Sequence, residues 1–458
     1  MEIERLVEAA RGKKILFVGR SNRMGDDDIE LFLDQAGAQR AEDEKDAPLG
    51  MVVTGRLLNP IEEQMCDDLA RNGIAVTDIG KIEEYYAAKI DREALIGSLK
   101  LFRNRERIIN LLHNPHIGDD LFCEILKLYD WEGRGPFEGD ENRDVAGTIV
   151  ARFYPEIERN HNIQYSPVGP FLVAAQCENR MLLEAMILIP DYEITQRSGD
   201  MWLPATLHEA LLVNPNLPVE TLLRFCDSDE ERKRAFAAMH PSLPHSVQER
   251  LAESSTAAVL EGLARNPSLS GSLREKLRNS EHRSVRIAFL SHQPVEESIL
   301  ENIESMDEES CRAVGRNGRL SEETALGMVR AGKRALQEEL ASNTSLTGPV
   351  YEALFGLQNP EIRRRLASNE SVPVEILERL VRIREKEIFV ALASNPSMPE
   401  RYLRSFSKIR ERDVAAALAS NPSTPIEILL GYQTDAELSN ILKRNEAFSD
   451  YIRRNIGW

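Results

Sequence analysis

A seven-residue phrase that returns at a fixed interval restricts this chain more than any other feature. Ala393-Ser394-Asn395-Pro396-Ser397-Met398-Pro399 recurs as Ala419-Ser420-Asn421-Pro422-Ser423-Thr424-Pro425. Looser copies begin at Ala367 and Ala341. With the Asn as anchor, the series runs Asn214, His240, Asn266, His292, Asn317, Asn343, Asn369, Asn395 and Asn421, and a shorter final unit puts Asn445 in the same role. Apolar residues keep step with the anchor. Leu418/Val414, Leu392/Ile388, Leu366/Ile362, Leu340/Leu336 and Leu263/Val259 stand three and seven residues before it, on one face of a helix. Val372/Ile376/Leu380, Met398/Tyr402/Phe406 and Leu243/Val247/Leu251 follow it as a second stripe on a second helix. The Asn-Pro step ends the first helix, because the residue before proline avoids the helical region. Pro218, Pro244, Pro373, Pro399 and Pro425 fall where the second restarts. The recurrent Asn or His is expected to satisfy backbone groups at the corner, as a ladder from repeat to repeat. A unit this short cannot bury two stripes alone, whereas stacked neighbours can, which predicts an α-solenoid.

The phrase Leu392-Ala393-Ser394-Asn395-Pro396-Ser397-Met398-Pro399 and its copy from Leu418 to Pro425 resemble the leucine-rich repeat variant family of bacterial proteins over roughly residues 200–445. That resemblance implies stacked short helices. The repeat here is somewhat longer than is typical of the family, nearer to HEAT-like pairs. The clustered cysteines that hold an iron–sulfur cluster in some members have no counterpart, so no cofactor is expected. A further copy, Leu111-Leu112-His113-Asn114-Pro115-His116-Ile117, makes Asn114 an earlier anchor and starts the array near residue 98. Between about 128 and 180 the pattern breaks into sequence rich in Gly, Pro and acid, such as Trp131-Glu132-Gly133-Arg134-Gly135-Pro136. Insertions of this kind are either partner-binding loops or solvated disordered ones.

Residues 1–95 have a different character. Strand runs at Lys14–Gly19, Met51–Gly55 and Ile74–Ile79 alternate with helical patterns through Ile29–Leu33, Ile61–Arg71 and Lys81–Lys89, which predicts a small parallel α/β sheet. With a weak strand near Gln39–Ala41, this order resembles a BRCT domain. Phosphopeptide-binding members carry a Ser/Thr-Gly pair after the first strand and a Lys on the second helix. Here those places read Gly19-Arg20-Ser21 and Gln64, leaving Ser21 and Arg56 as the residues that would substitute at a phosphate site. A truncated flavodoxin-like or Rossmann-like fold is the rival reading. The expected whole is a multidomain α+β chain: a BRCT-like domain over 1–95, a helical start over 96–199 interrupted by the insertion, and a right-handed α-solenoid of about 26-residue repeats over 200–458.

Chemistry fails where it would need particular residues. Gly19-Arg20-Ser21-Asn22-Arg23-Met24-Gly25 follows a strand, but Asp26-Asp27-Asp28 stand where a phosphate loop needs Lys and Ser/Thr, so a helix cap is expected. A calcium-loop likeness from Asp140 places Val145 and Ala151 where Gly and Glu are required. His113 and His116 flank the helix break at Asn114-Pro115 and do not form a helical zinc motif. The five cysteines are scattered, which suits a reducing, cytoplasmic setting. No apolar run approaches a membrane span, and the opening Met1-Glu2-Ile3-Glu4 is no signal peptide, so no membrane is expected as partner. The net charge of -18 opposes non-specific nucleic-acid binding, and residues 1–200 hold 38 acids against 24 bases. The last 58 residues are slightly basic, which suits either contact with phosphate or an acidic protein or a solvated helix face.

Three functional classes follow. The first is a non-catalytic protein-binding scaffold acting through the solenoid surface and the insertion, with no catalytic, metal or cofactor residues. The second is a nucleic-acid-associated accessory using the BRCT-like domain and the arginines Arg363-Arg364-Arg365 and Arg453-Arg454. A third places an enzyme in the N-terminal domain.

Overall fold

The computed structural model describes residues 2–19, 23–157, 161–194, 201–253 and 256–456, with the side chains of 161 and 453–456 left aside. The chain is mostly helical with one small sheet, and it forms two compact units, Met1–Ser242 and Leu243–Trp458.

The first unit opens with helix α1 (Glu2–Ala9) and strand β1 (Lys14–Val18), then α2 (Asp26–Ala36), β2 (Gln39–Arg40), β3 (Leu49–Thr54), α3 (Pro60–Arg71), β4 (Ala75–Asp78) and α4 (Ile79–Lys89). All four strands are parallel, in the order β2-β1-β3-β4. Alternation sorts the side chains. Ile15, Met51 and Val53 face a core with Phe32, Leu33, Ile82 and Tyr86, while Leu16, Val18 and Val52 face Cys66 of α3. Gly37 ends α2 with φ at 64°, in the left-handed region that glycine enters without strain. Asn59 starts α3 by accepting from the backbone N–H of Ile61 and Glu62, and Glu62 accepts from the Asn59 N–H in return.

The helices that follow are α5 (Arg92–Phe102), α6 (Arg105–His113), α7 (Asp119–Leu126), α8 (Asp140–Phe153), α9 (Val168–Gln176), α10 (Arg180–Met186), α11 (Leu207–Val213), α12 (Val219–Cys226) and α13 (Glu231–Met239). Helix α6 packs on α8, α8 on α9, α9 on α11 and α11 on α13. The stretch read as a Gly/Pro-rich interruption therefore contributes two helices to this row. Val145, Ala146, Ile149 and Val150 of α8 are buried, as are Val173 and Ala174 of α9. The apolar run inside α8 outweighs the Gly and Pro that flank it, and this corrects the expectation of an exposed segment there.

In the second unit the helices Ala257–Arg265, Arg283–His292, Glu308–Gly315, Arg334–Ser342, Pro360–Ser368, Lys386–Ser394, Arg412–Ser420 and Ala436–Leu442 each pack on the next. Shorter helices such as Val374–Val381 and Glu400–Phe406 alternate with them. The anticipated positions Leu263, Leu340, Leu366, Leu392 and Leu418 are buried, with Val259, Leu336, Ile362, Ile388 and Val414 one turn earlier. In the second stripe Tyr402 and Val247 are half-buried and the others named are buried. Pro218, Pro373, Pro399 and Pro425 are the N-cap residues of their helices.

Candidate functional site: the anchor ladder and the carboxyl-edge crevice

Among the places where described polar side chains collect with defined partners, two stand out. The first is the row of anchors. Asn395 caps its helix in an extended conformation and is fully buried. Its Nδ2 donates to the carbonyls of Ala367 at 2.9 Å and Asn369 at 3.0 Å, and its Oδ1 accepts from the Ser397 N–H at 2.8 Å. Asn421, Asn369 and Asn343 repeat these three bonds, each reaching carbonyls 26 and 28 residues back. Asn317 donates to Leu290 and Gln293 carbonyls and accepts from Arg319 N–H, and Asn445 donates to Ala419 and Asn421 carbonyls. Asn266 accepts from the Ser268 N–H at 2.8 Å. Both Nδ2 hydrogens of Asn317, Asn343, Asn369, Asn395, Asn421 and Asn445 are thereby held by backbone carbonyls, so a structural role accounts for their recurrence.

The place assigned to His292 belongs to Gln293. The Gln293 Nε2 donates to the Ala264 carbonyl at 2.7 Å and the Asn266 carbonyl at 2.8 Å. The helix there runs one residue further than its neighbours, through His292, so the corner falls a residue late. The extra methylene of Gln makes up the displacement. His292 instead sits at the helix end, where its Nε2 accepts from Arg265 Nη1 at 2.9 Å. Burial, then the charges of Arg265 and Arg319, push it down to about 4.

In the first unit Asn214 donates to the carbonyls of Ala174 and Cys177 and accepts from the Asn216 N–H. His240 does the same work as a neutral imidazole: Nε2–H donates to the Asn214 carbonyl at 2.9 Å, and Nδ1 accepts from the Ser242 N–H at 3.1 Å. Burial lowers its basicity, which favours that neutral form. Cys177, which the sequence did not single out, stands at a corner of its own. It ends α9, and its Sγ accepts from the Asn179 N–H at 3.3 Å. Asn114 accepts from the His116 N–H at 2.9 Å, while its buried Nδ2 has no acceptor among the described residues.

The second place lies at the carboxyl ends of β1 and β3. Phe17, Ile29, Met24, Val53 and Ile79 form the apolar part of a crevice of about 430 Å³, and Asp26, Arg40, Glu106 and Asn110 form its polar part. Gly19, at φ 84°, brings the end of β1 against the turn after β3, since a Cβ there would stand 2.9 Å from Leu58 Cδ2 and 3.1 Å from the Arg56 carbonyl oxygen. The three aspartates that open α2 each find a partner on another element. Asp26 Oδ1 accepts from Arg40 at 2.8 Å, Asp27 accepts from Asn104 at 3.2 Å, and the fully buried Asp28 accepts from Arg107 Nε at 3.0 Å, Arg107 Nη2 at 2.8 Å and the Tyr86 hydroxyl at 2.9 Å. Burial and the adjacent Asp28 carboxylate raise Tyr86 well above the ordinary phenol range. Helix α2 itself has Gly25 as N-cap with no side-chain capping bond, so the aspartates tie α2 to other elements in place of capping it. Of the residues proposed for phosphate, Ser21 lies outside the described residues and Arg56 is exposed on the turn after β3.

No protein-family model matches this chain, and no curated protein matches it either. Burial pushes the Cys123 thiol up to about 12 and raises those of Cys66, Cys177 and Cys311, so these four are not thiolates at neutral pH. The arginine run is engaged too. Arg364 and Arg365 both donate to Glu361, and Arg365 also lies 3.5 Å from Glu339. The bond from Arg364 holds Glu361 down to about 2 despite its partial burial. The side chains of Arg453 and Arg454 lie outside the described residues. Among the described residues, no helix is long and apolar enough to cross a membrane.

Proposed function

We propose that this chain is a non-catalytic protein-binding scaffold of the cytoplasm, in which an α-solenoid of leucine-rich-repeat-variant-like units follows a BRCT-like α/β domain. The observation that carries the reading is the anchor ladder. Residues that recur in the repeats, and would otherwise suggest a repeated reactive site, have their amide N–H groups engaged with the backbone of the preceding repeat. What varies between repeats is the exposed surface, and binding on such a surface needs no fixed chemistry. The strand and helix order of residues 14–89 supports the BRCT-like part, including the short strand at Gln39–Arg40. Five free cysteines fit a reducing compartment.

The exposed serines Ser342, Ser368, Ser394 and Ser420 each precede an anchor and mark one row across four repeats. Replacing Ser368, Ser394 and Ser420 together by Arg should leave the melting temperature of the second unit unchanged. The same change should remove the proteins that the wild-type chain captures from its native cell extract. Unchanged capture by this variant, and by a matching variant of the opposite helix row, counts against a scaffold acting through the repeats.

A further inference from the structure

We propose that the crevice at the carboxyl ends of β1 and β3, together with the exposed Leu57 and Ile61 beside it, docks a partner segment that carries Lys or Arg among apolar residues. This goes beyond the scaffold reading, since it assigns a site in the sheet domain that the repeats do not contribute to.

The topology supplies the opening. In the order β2-β1-β3-β4 the chain leaves β1 toward one neighbour through α2 and later arrives at the other, so the crevice lies at the switch point of the sheet. Open parallel sheets bind at that place because the connections diverge there. Its volume, about 430 Å³, is near the low end for ligand sites and suits one long side chain better than a large cofactor.

The charges choose the sign. Arg40 is held by Asp26 at 2.8 Å, with Glu30 at 3.9 Å behind it. Glu106, which also lines the crevice, has no ion-pair partner among the described residues and is exposed. A guanidinium or ammonium entering over the floor of Phe17, Ile29 and Val53 meets this carboxylate, whereas a phosphate or carboxylate would be repelled by it.

The apolar half of the site is built as firmly. Leu57, 89% exposed, is on the turn that leaves β3, two residues after Gly55 of the crevice wall, and Ile61, 82% exposed, is in the first turn of α3. Leu57 holds φ at 59°, a left-handed conformation that strains a non-glycine residue. The reciprocal bonds of Asn59 and Glu62 fix the turn in this arrangement, and Leu58 points the other way into the core on the α3 face. Two large apolar side chains held rigidly in water are stabilised when a partner covers them. The exposed Arg56 on this turn is outnumbered by the exposed Glu63 and Asp67 on α3, so this stretch stays net negative, which suits the same basic partner.

The test uses the full chain and fluorescence anisotropy with a labelled eight-residue peptide that alternates Arg and Leu. Matched peptides carry Glu for Arg, phosphoserine for Arg, or Ser for Leu. The expected result is saturable binding of the Arg-Leu peptide, weaker by about ten-fold for each matched peptide and for the variants Glu106→Arg and Leu57→Ser/Ile61→Ser. A control variant, Glu375→Arg, changes an exposed residue of the second unit and should retain the wild-type affinity. Circular dichroism melts of all variants should superimpose, since the altered side chains are exposed. The proposal is overturned by no saturable binding, by equal binding to the crevice variants, by an equal loss in Glu375→Arg, or by a preference for the Glu or phosphoserine peptide. The serine-row experiment on the repeats reads a different surface, so either result stands without the other.

Discussion

Replacing Asn395 by Ala strips three backbone groups of their partners: the carbonyls of Ala367 and Asn369 and the Ser397 N–H. A buried polar group left unpaired costs about 1–3 kcal/mol. The substitution would leave all three facing the space vacated by one side chain, where a single water could serve more than one of them, so about 2–4 kcal/mol is expected in place of the full sum. The comparison variant is Asn114→Ala. There the Nδ2 has no acceptor to lose, and only the His116 N–H is left without its partner, which predicts about 1 kcal/mol. Asn395→Asp should be worse than Ala, because a carboxylate oxygen then faces two carbonyl oxygens. Hydrogen exchange gives local opening free energies, so anchors in different units are directly comparable. In Asn395→Ala the Ser397 amide should exchange faster by a factor that matches the loss in a urea melt. A cost below about 1 kcal/mol, or one equal to that of Asn114→Ala, would refute the assignment of the ladder as the joint between repeats.

Two further outcomes test other parts. His292 keeps its proton off down to about 4 when folded, while an unfolded histidine takes one up near 6.5. Stability is therefore fully present above about pH 6.5 and declines as the pH falls toward 4, by about 1–2 kcal/mol once solvent screening at this half-buried site is allowed for. His292→Gln should flatten that part of the profile in urea melts from pH 7 to 4, and a profile identical to wild type would exclude the site. Arg107→Ala leaves the buried Asp28 carboxylate without its cation, at a cost of about 3–5 kcal/mol, and Asp28→Asn in the same chain should recover much of it. Equal melting temperatures for the single and double variants would show that the pair is not coupled.

How far the sequence could be read depended on whether a residue's partner lies at a fixed distance along the chain. Asn395 and Asn421 were legible because each bonds to a place 26 residues back, and a periodic cause leaves a periodic mark. The buried leucines were legible for the same reason. Gln293 was not, because alignment on residue type stops at His292, and only the observed helix length shows that the corner comes later. Cys177 gave no signal, since a thiol accepts weakly and Cys177-Glu178 shares neither the Asn nor the Pro of phrases such as Asn395-Pro396. The pairing of Asp28 with Arg107 joins residues 79 apart with no repetition to announce it. It also reaches past residue 95, so a fragment ending there would lack the cation that its buried carboxylate uses. Helix α8 was masked by the glycines and prolines on either side of it, which dominate the composition of a short window.

The unequal spacing around Gln293 bears on how such an array accumulates change. Gln293 reaches back 27 residues to Asn266, and Asn317 reaches back only 24 to Gln293, whereas Asn343 through Asn421 keep 26. Duplicating or deleting one whole unit leaves every donor opposite its two carbonyls, so lineages can lengthen or shorten the array without relearning its joints. A frame-preserving change of a single codon inside a unit does not, because it moves the amide off both acceptors at once. Exchange of Asn for Gln is the substitution that recovers a one-residue slip while keeping the same donor. Relatives with other unit counts should therefore differ in multiples of a unit, and where their spacing is irregular a glutamine should occupy the corner.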